Sequence, residues 1–192
     1  MKKTILYIHG FNGNPQGGTY QGLVDFFSDK NDYEVISYTF PALHSDVEKT
    51  QKQIENYIEQ NNVSILVGAS LGGFYTLCCK KPVFKIAINP CMIPSKEIPM
   101  LTDRETGAPV QIAENVISNW VKLEEFNLHD EQKQAFGIFG LQDKTFHYNE
   151  NHNFKPLFEK FFNNHTALIP GEHSLTTEQL KQGLEQVMNL LP

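Results

Sequence analysis

The sequence predicts an α/β fold: a mostly parallel sheet of about six strands with helices on both faces, a three-layer sandwich. Three observations predict it. Short apolar runs alternate along the chain with segments of helical periodicity, the signature of β-α-β units. Most of those runs are near-continuous rather than alternating, as expected of strands covered on both faces. The stretch ILVGASLGGF, residues 65–74, joins one such run to a helix through small residues grouped around Ser70.

The strands read in order are Thr4–His9, Tyr33–Thr39, Val63–Gly68, Phe84–Asn89, Ala135–Phe139 and His165–Ile169. Helical patterns fill the gaps. Thr19–Lys30 rests on Leu23, Phe26 and Phe27. Ser45 and Glu48 have the spacing of a capping box, and Val47, Ile54, Tyr57 and Ile58 follow at helical spacing. The helix opened by Ser70 is expected to stop at Pro82, which cannot continue the backbone ladder. Thr176 and Gln179 form a second capping box ahead of Leu180, Leu184, Val187, Met188 and Leu191. Between the fourth and fifth strands lies a long excursion. It carries IPSKEIPMLTDRETGAP and then an amphipathic helix around Ile112–Phe126 that includes Trp120. Long connections of this kind are often binding loops or lids. With no repeat or low-complexity tract, the chain reads as one domain, 1–192, with a small cap-like excursion at about 91–131.

Charge narrows the function classes. Sixteen basic and 22 acidic residues give a net charge of −6, and no Lys/Arg run exceeds two. Nucleic-acid binding needs clustered cations, so that class is excluded. Cys78, Cys79 and Cys91 are odd in number and irregular in spacing. They read as reduced thiols of a cytoplasmic protein rather than a disulfide framework. In the opening MKKTILYIHG the apolar run is only Ile5 to Ile8, shorter than the core of a signal peptide. No apolar run approaches the length of a membrane span. His147, Glu150 and His152 are the one grouping with metal-ligand residue types, and a solvated polar loop explains them better. No metal is expected.

The chemistry centres on GASLGG. Gly68, Ser70 and Gly72 fit G-x-S-x-G, placed between an apolar strand and a helix as that motif requires. The turn is tight enough that larger flanking side chains would clash, and it lifts the serine hydroxyl above the carboxyl edge of the sheet. The helix terminus beneath it offers free N–H groups to developing negative charge. The plain alternative is a glycine-rich turn with an incidental serine.

A serine needs a base to take its proton and a carboxylate to orient that base. With this motif the chain order is serine, acid, histidine. GLQDKTF places Asp143 just past an apolar strand, and IPGEHSL places His173 in the turn before the last helix. His44 precedes Ser70, and His129 precedes Asp143. His147 and His152 follow no strand, and His165 begins one. His173 is therefore the expected base and Asp143 the expected acid, with Asp103 in reserve. The expected oxyanion donors are the backbone N–H groups of Leu71, next after the nucleophile, and of Phe11, in the loop HGFNGNPQGG after the first strand. His9 reads as structural.

YIHGFNGNP, GASLGGFYT, GLQDKTF and GEHSL together resemble the α/β-hydrolase superfamily, and within it the small bacterial YqiA-like esterases. The resemblance covers nearly the whole chain. It implies Ser70, Asp143 and His173 as a triad with Phe11 and Leu71 as oxyanion donors. It also implies strand order 2-1-3-4-5-6 with Ser70 near the switch point between the first and third strands; the two antiparallel strands that usually come first are expected to be missing, a departure from the full-length fold. The implied substrate is a small acyl ester or a thioester such as an acyl-CoA, with no cofactor. A peptidase using the same triad, or a binding module that keeps the fold without the chemistry, are the alternatives. Phe11, Met92, Met100 and Trp120 are candidates for an apolar acyl pocket, though each could equally be core.

Overall fold

A computed structural model of the protein describes residues 2–41, 43–103, 106–129, 135–147, 154–162 and 165–191, with the side chains of 125–129 excepted. Six strands form one sheet: β1 (Lys3–Ile8), β2 (Tyr33–Ser37), β3 (Val63–Ala69), β4 (Phe84–Ile88), β5 (Ala135–Gly140) and β6 (Thr166–Ile169). Their order is β2-β1-β3-β4-β5-β6, and every pairing is parallel. Class, strand count and order agree with the sequence expectation.

Side chains of a strand alternate between faces, so each strand feeds two cores. Ile5, Tyr7, Ile65, Val67, Ile86, Ile88, Phe136 and Ile138 pack on one side. They meet Leu23, Phe26 and Phe27 of α1 (Gly18–Phe27) and Leu180, Leu184 and Val187 of α7 (Thr177–Met188). Leu6, Ile8, Leu66, Ala87 and Phe139 pack on the other. There they meet α2 (Val47–Gln60), α3 (Leu71–Cys78), α5 (Glu114–His129) and α6 (Lys155–Phe162). The near-continuous apolar runs are the direct result: both alternating sets are buried.

Local signals explain most boundaries. The Thr176–Gln179 capping box opens α7, each side chain bonding the other's backbone N–H. The cap of α2 is Asp46 rather than Ser45. Its carboxylate accepts the Lys49 N–H at 3.0 Å. The Ser45–Glu48 spacing is a coincidence of a Ser-Asp pair in which the stronger acceptor sits one residue later. α3 ends at Cys78, before Pro82, because Cys79 is already extended. Two short helices were not legible in the sequence: α4 (Pro94–Glu97) within the excursion, and α6.

The excursion is anchored rather than loose. α5 buries Val116, Trp120 and Leu123 in the core formed with α3, and the Trp120 indole N–H donates to the Tyr75 hydroxyl at 3.1 Å. Between α4 and α5 the backbone makes an antiparallel bridge from Thr102 to Pro109. Among the described residues no helix is long and apolar enough to cross a membrane.

Candidate active site

Parallel pairing brings the carboxyl ends of all six strands to one edge, and register decides which loops meet there. Ile8 pairs with Gly68, so the loop leaving β1 emerges beside the turn leaving β3. Ser70 sits in that turn with φ 54° and ψ −119°, a conformation that costs a non-glycine residue on the order of 1–3 kcal/mol. The surroundings hold it there. Its N–H donates to Ile88 O at 3.0 Å, and its carbonyl accepts from Cys91 N–H at 3.0 Å and Phe74 N–H at 3.2 Å. A β-carbon on Gly68 would lie 2.2 Å from Gly72 O, and one on Gly72 would lie 2.3 Å from Ile8 O. Both glycines of the motif are thus required by close backbone approach, as the turn chemistry implied.

The β1 loop lies directly against the serine, since a methyl on Gly10 would reach within 2.9 Å of Ser70 Cβ. Gly13 N–H closes on Gly10 O at 3.0 Å, and His9 Nδ1–H donates to Gly10 O at 2.8 Å. His9 is thereby tied into its own loop, consistent with a structural part. Leu71 is the first residue of α3, where helix geometry leaves its N–H without an intrahelical acceptor.

On the other side of Ser70, the loops after β5 and β6 are joined. Leu141 N–H donates to Ile169 O at 2.9 Å and Gln142 N–H to Gly171 O at 2.7 Å. Asp143 is buried, with 2% of its surface exposed. Its Oδ1 accepts the Thr145 N–H at 2.9 Å, and its Oδ2 accepts His173 Nδ1–H at 2.7 Å. That bond assigns the imidazole proton to Nδ1 and leaves Nε2 as an acceptor. Asp103, the reserve acid, instead accepts the N–H and hydroxyl of Thr106 at 2.8 and 2.9 Å within its own turn.

Two partners of this assembly were not foreseen. The Phe146 ring stands edge-on to the His173 ring, 4.9 Å between centroids at 90°. The buried Glu97 carboxylate of α4 accepts the His147 N–H at 2.7 Å, tying the excursion to the loop that carries Asp143. Phe146 ends the stretch GLQDKTF, but neither contact follows from residue type; each depends on which loops the topology brings together.

Ser70, His173, Phe11, Met100, Thr145 and His147 are among the residues that line one cleft of about 1030 Å³. A cavity of about 460 Å³ adjoins it, sharing Phe11, Asn12 and Asp103 and walled by Val110, Ile112 and Val116. His44 lies in that second cavity, its ring edge-on to Phe11. Burial first, and His9 second, lower its pKa, so it favours the neutral form. Of the pocket candidates, Phe11 and Met100 line the cleft. Met92 and Trp120 are core residues that line neither cavity. Trp120 is fully buried because its ring fills the α3–α5 interface and its N–H finds Tyr75 there. Among the described residues no cluster of three His, Cys, Asp or Glu side chains could hold a metal, and Glu150 and His152 lie outside them.

Comparison with solved structures gives the same architecture. Est1E from Butyrivibrio proteoclasticus superposes with a TM-score of 0.70 at 17% identity, over 97% of this chain and 88% of that one. Alpha/beta hydrolase domain-containing protein 10 from mouse gives 0.67 at 17%, over 97% and 90%. The Pyrococcus furiosus esterase Pf2001 gives 0.65 at 17%, over 98% and 83%. The six parallel strands in this order, with the turn at Ser70, are the α/β-hydrolase fold. The model of the family described as Uncharacterised protein family (UPF0227) matches residues 4–166, so the chain belongs to that family.

Proposed function

We propose that the protein is a serine hydrolase that cleaves acyl esters through Ser70, His173 and Asp143. The observation that carries this reading is the 2.7 Å bond from His173 Nδ1–H to the buried Asp143 carboxylate, at the edge of a cleft that Ser70 also lines. With Nδ1 committed to the carboxylate, Nε2 is the nitrogen left to take the serine proton. Ser70 Oγ attacks the acyl carbonyl as His173 Nε2 accepts its proton. The carbonyl oxygen becomes an oxyanion facing the N–H groups of Leu71 and Phe11. Collapse expels the alcohol, which leaves with the proton from His173. Water then repeats the sequence on the acyl-enzyme, releasing the acid and restoring Ser70.

The likeness to esterases supports the reaction class, and the apolar-walled cavity beside the cleft suits an uncharged acyl group. Labelling with a fluorophosphonate tests the proposal. The native protein is expected to become labelled, and Ser70→Ala to remain unlabelled. A native protein that takes no label, or a Ser70→Ala variant that labels equally, rejects it. Turnover compared on an aryl ester, an acyl-CoA and an amide then assigns the leaving group, which pocket shape rather than the triad decides.

A further inference from the structure

We propose that Asn89 is a positioning residue that fixes the backbone of His173 above the nucleophile; the inference rests on the triad reading above. Asn89 follows β4 directly and is 2% exposed. Its φ is 40°, in the left-handed region that asparagine tolerates better than most residues. Its N–H donates to Ile138 O at 2.8 Å, one rung beyond the last β4–β5 pair.

The carboxamide makes three further bonds, to two other loops. Oδ1 accepts the Gly140 N–H at 2.7 Å, where β5 gives way to the turn that carries Asp143. Nδ2 donates to Glu172 O at 3.1 Å and to His173 O at 2.9 Å. On either side of Asn89, Ile88 O and Cys91 N–H bracket the backbone of Ser70 at 3.0 Å each. The carboxamide therefore links the loops that carry acid and base, and the backbone on either side of Asn89 ties in the turn that carries the nucleophile. His173 is held at two places: its ring by Asp143 and its carbonyl by Asn89.

A left-handed turn alone would be served by glycine. What the carboxamide adds is an acceptor for one loop and donors for the other. No other natural side chain of that length offers both. The consequence is catalytic alignment, because a reacting group displaced by about 1 Å can lose about 100-fold in rate.

The test uses the full chain with Asn89→Asp and Asn89→Gly. Aspartate keeps the acceptor for Gly140 but sets an oxygen against two carbonyls. Glycine keeps the backbone conformation and drops all three side-chain bonds. In both, kcat on an aryl ester is expected to fall about 10- to 100-fold with KM nearly unchanged, and cooperative urea unfolding is retained. The downfield proton resonance of His173 Nδ1 in the native protein is expected to shift or broaden in both. Full kcat with an unmoved resonance in folded variants overturns the proposal. Loss of folding in both variants also overturns it, since Asn89 would then be a structural clip. A native protein inert to esters and fluorophosphonate would defeat the hydrolase reading instead, while the resonance would still report on the hold of Asn89 over His173.

Discussion

Asp143→Asn is the sharpest perturbation of the site, because both carboxylate oxygens act as acceptors. Oδ1 takes the Thr145 N–H at 2.9 Å and Oδ2 takes His173 Nδ1–H at 2.7 Å. An asparagine of the same shape has one acceptor and one donor end. If its oxygen stays on Thr145, its NH₂ faces His173 Nδ1, which must then give up its proton and accept. The ring proton moves to Nε2, the nitrogen required to receive the proton of Ser70. If the amide turns over, its NH₂ abuts the Thr145 N–H in a nearly water-free site, and a buried donor goes unpaired at about 1–3 kcal/mol. A base held in the wrong tautomer loses about 10⁴ in kcat, equivalent to roughly 5.5 kcal/mol of transition-state stabilisation. The assay is kcat on an aryl ester for native and variant protein, with urea unfolding as the control for fold. A folded Asp143→Asn variant that keeps more than about a tenth of native kcat would refute the tautomer argument.

Three other outcomes are expected. Gly72→Ala drives a methyl to 2.3 Å from Ile8 O and 2.4 Å from His9 O, both backbone atoms, and should destabilise the protein by about 3 kcal/mol or more; an unchanged urea midpoint would contradict the packing. Thr176→Ala removes the α7 capping box and should cost about 1 kcal/mol, read as a fall of about 2–4 °C in Tm; no fall would mean that α7 is held without its cap. Burial raises the Tyr7 pKa from 10.0 to about 12 against a smaller lowering by Thr19, so the folded state keeps a proton that the unfolded chain releases. That contribution is intact below pH 10 and is lost as pH rises through about 12, by up to roughly 3 kcal/mol. Burial raises Tyr75 in the same direction. Urea midpoints at pH 9 and 11 should diverge less for Tyr7→Phe than for the native protein, and equal divergence would contradict the assignment.

The parts of this protein legible from sequence are those written locally. The inner strands announced themselves because both of their faces are buried, as with Ile5 to Ile8, where consecutive residues feed opposite cores, whereas the edge strands β2 and β6 are only partly buried. The Ser70 turn was legible because Gly68 answers to atoms a few residues away, in Gly72 and Thr76, although Gly72 answers to Ile8 and His9 at the end of the neighbouring strand. α6 escaped because eight residues carrying Phe158 and Phe162 show too little period to stand out from a polar loop. The α2 cap was misplaced by one residue because serine and aspartate are both good caps and lie side by side. Trp120 was ambiguous since an aromatic on an amphipathic helix reads the same whether it faces a core or a pocket. Glu97, Phe146 and Asn89 could not be singled out from residue type. Their parts depend on segments 27 to 84 residues apart meeting at one sheet edge.

The exclusively parallel sheet has a consequence for how the chain reaches its native state. Among the described residues no two strands of the sheet are joined by a hairpin, so no strand pairing of the sheet can form early from neighbouring residues. β1 and β3, whose ends present Gly10 and Ser70, pair Thr4 with Val63, and β2 and two helices intervene. Closing a loop of that length carries a chain entropy of about 3–4 kcal/mol before any contact offsets it. The helices are then the earliest structure available, and the turn at Ser70 acquires its shape only as the central strands dock. Folding should accordingly be slow for a chain of this size, with the machinery of the cleft among the last features to mature.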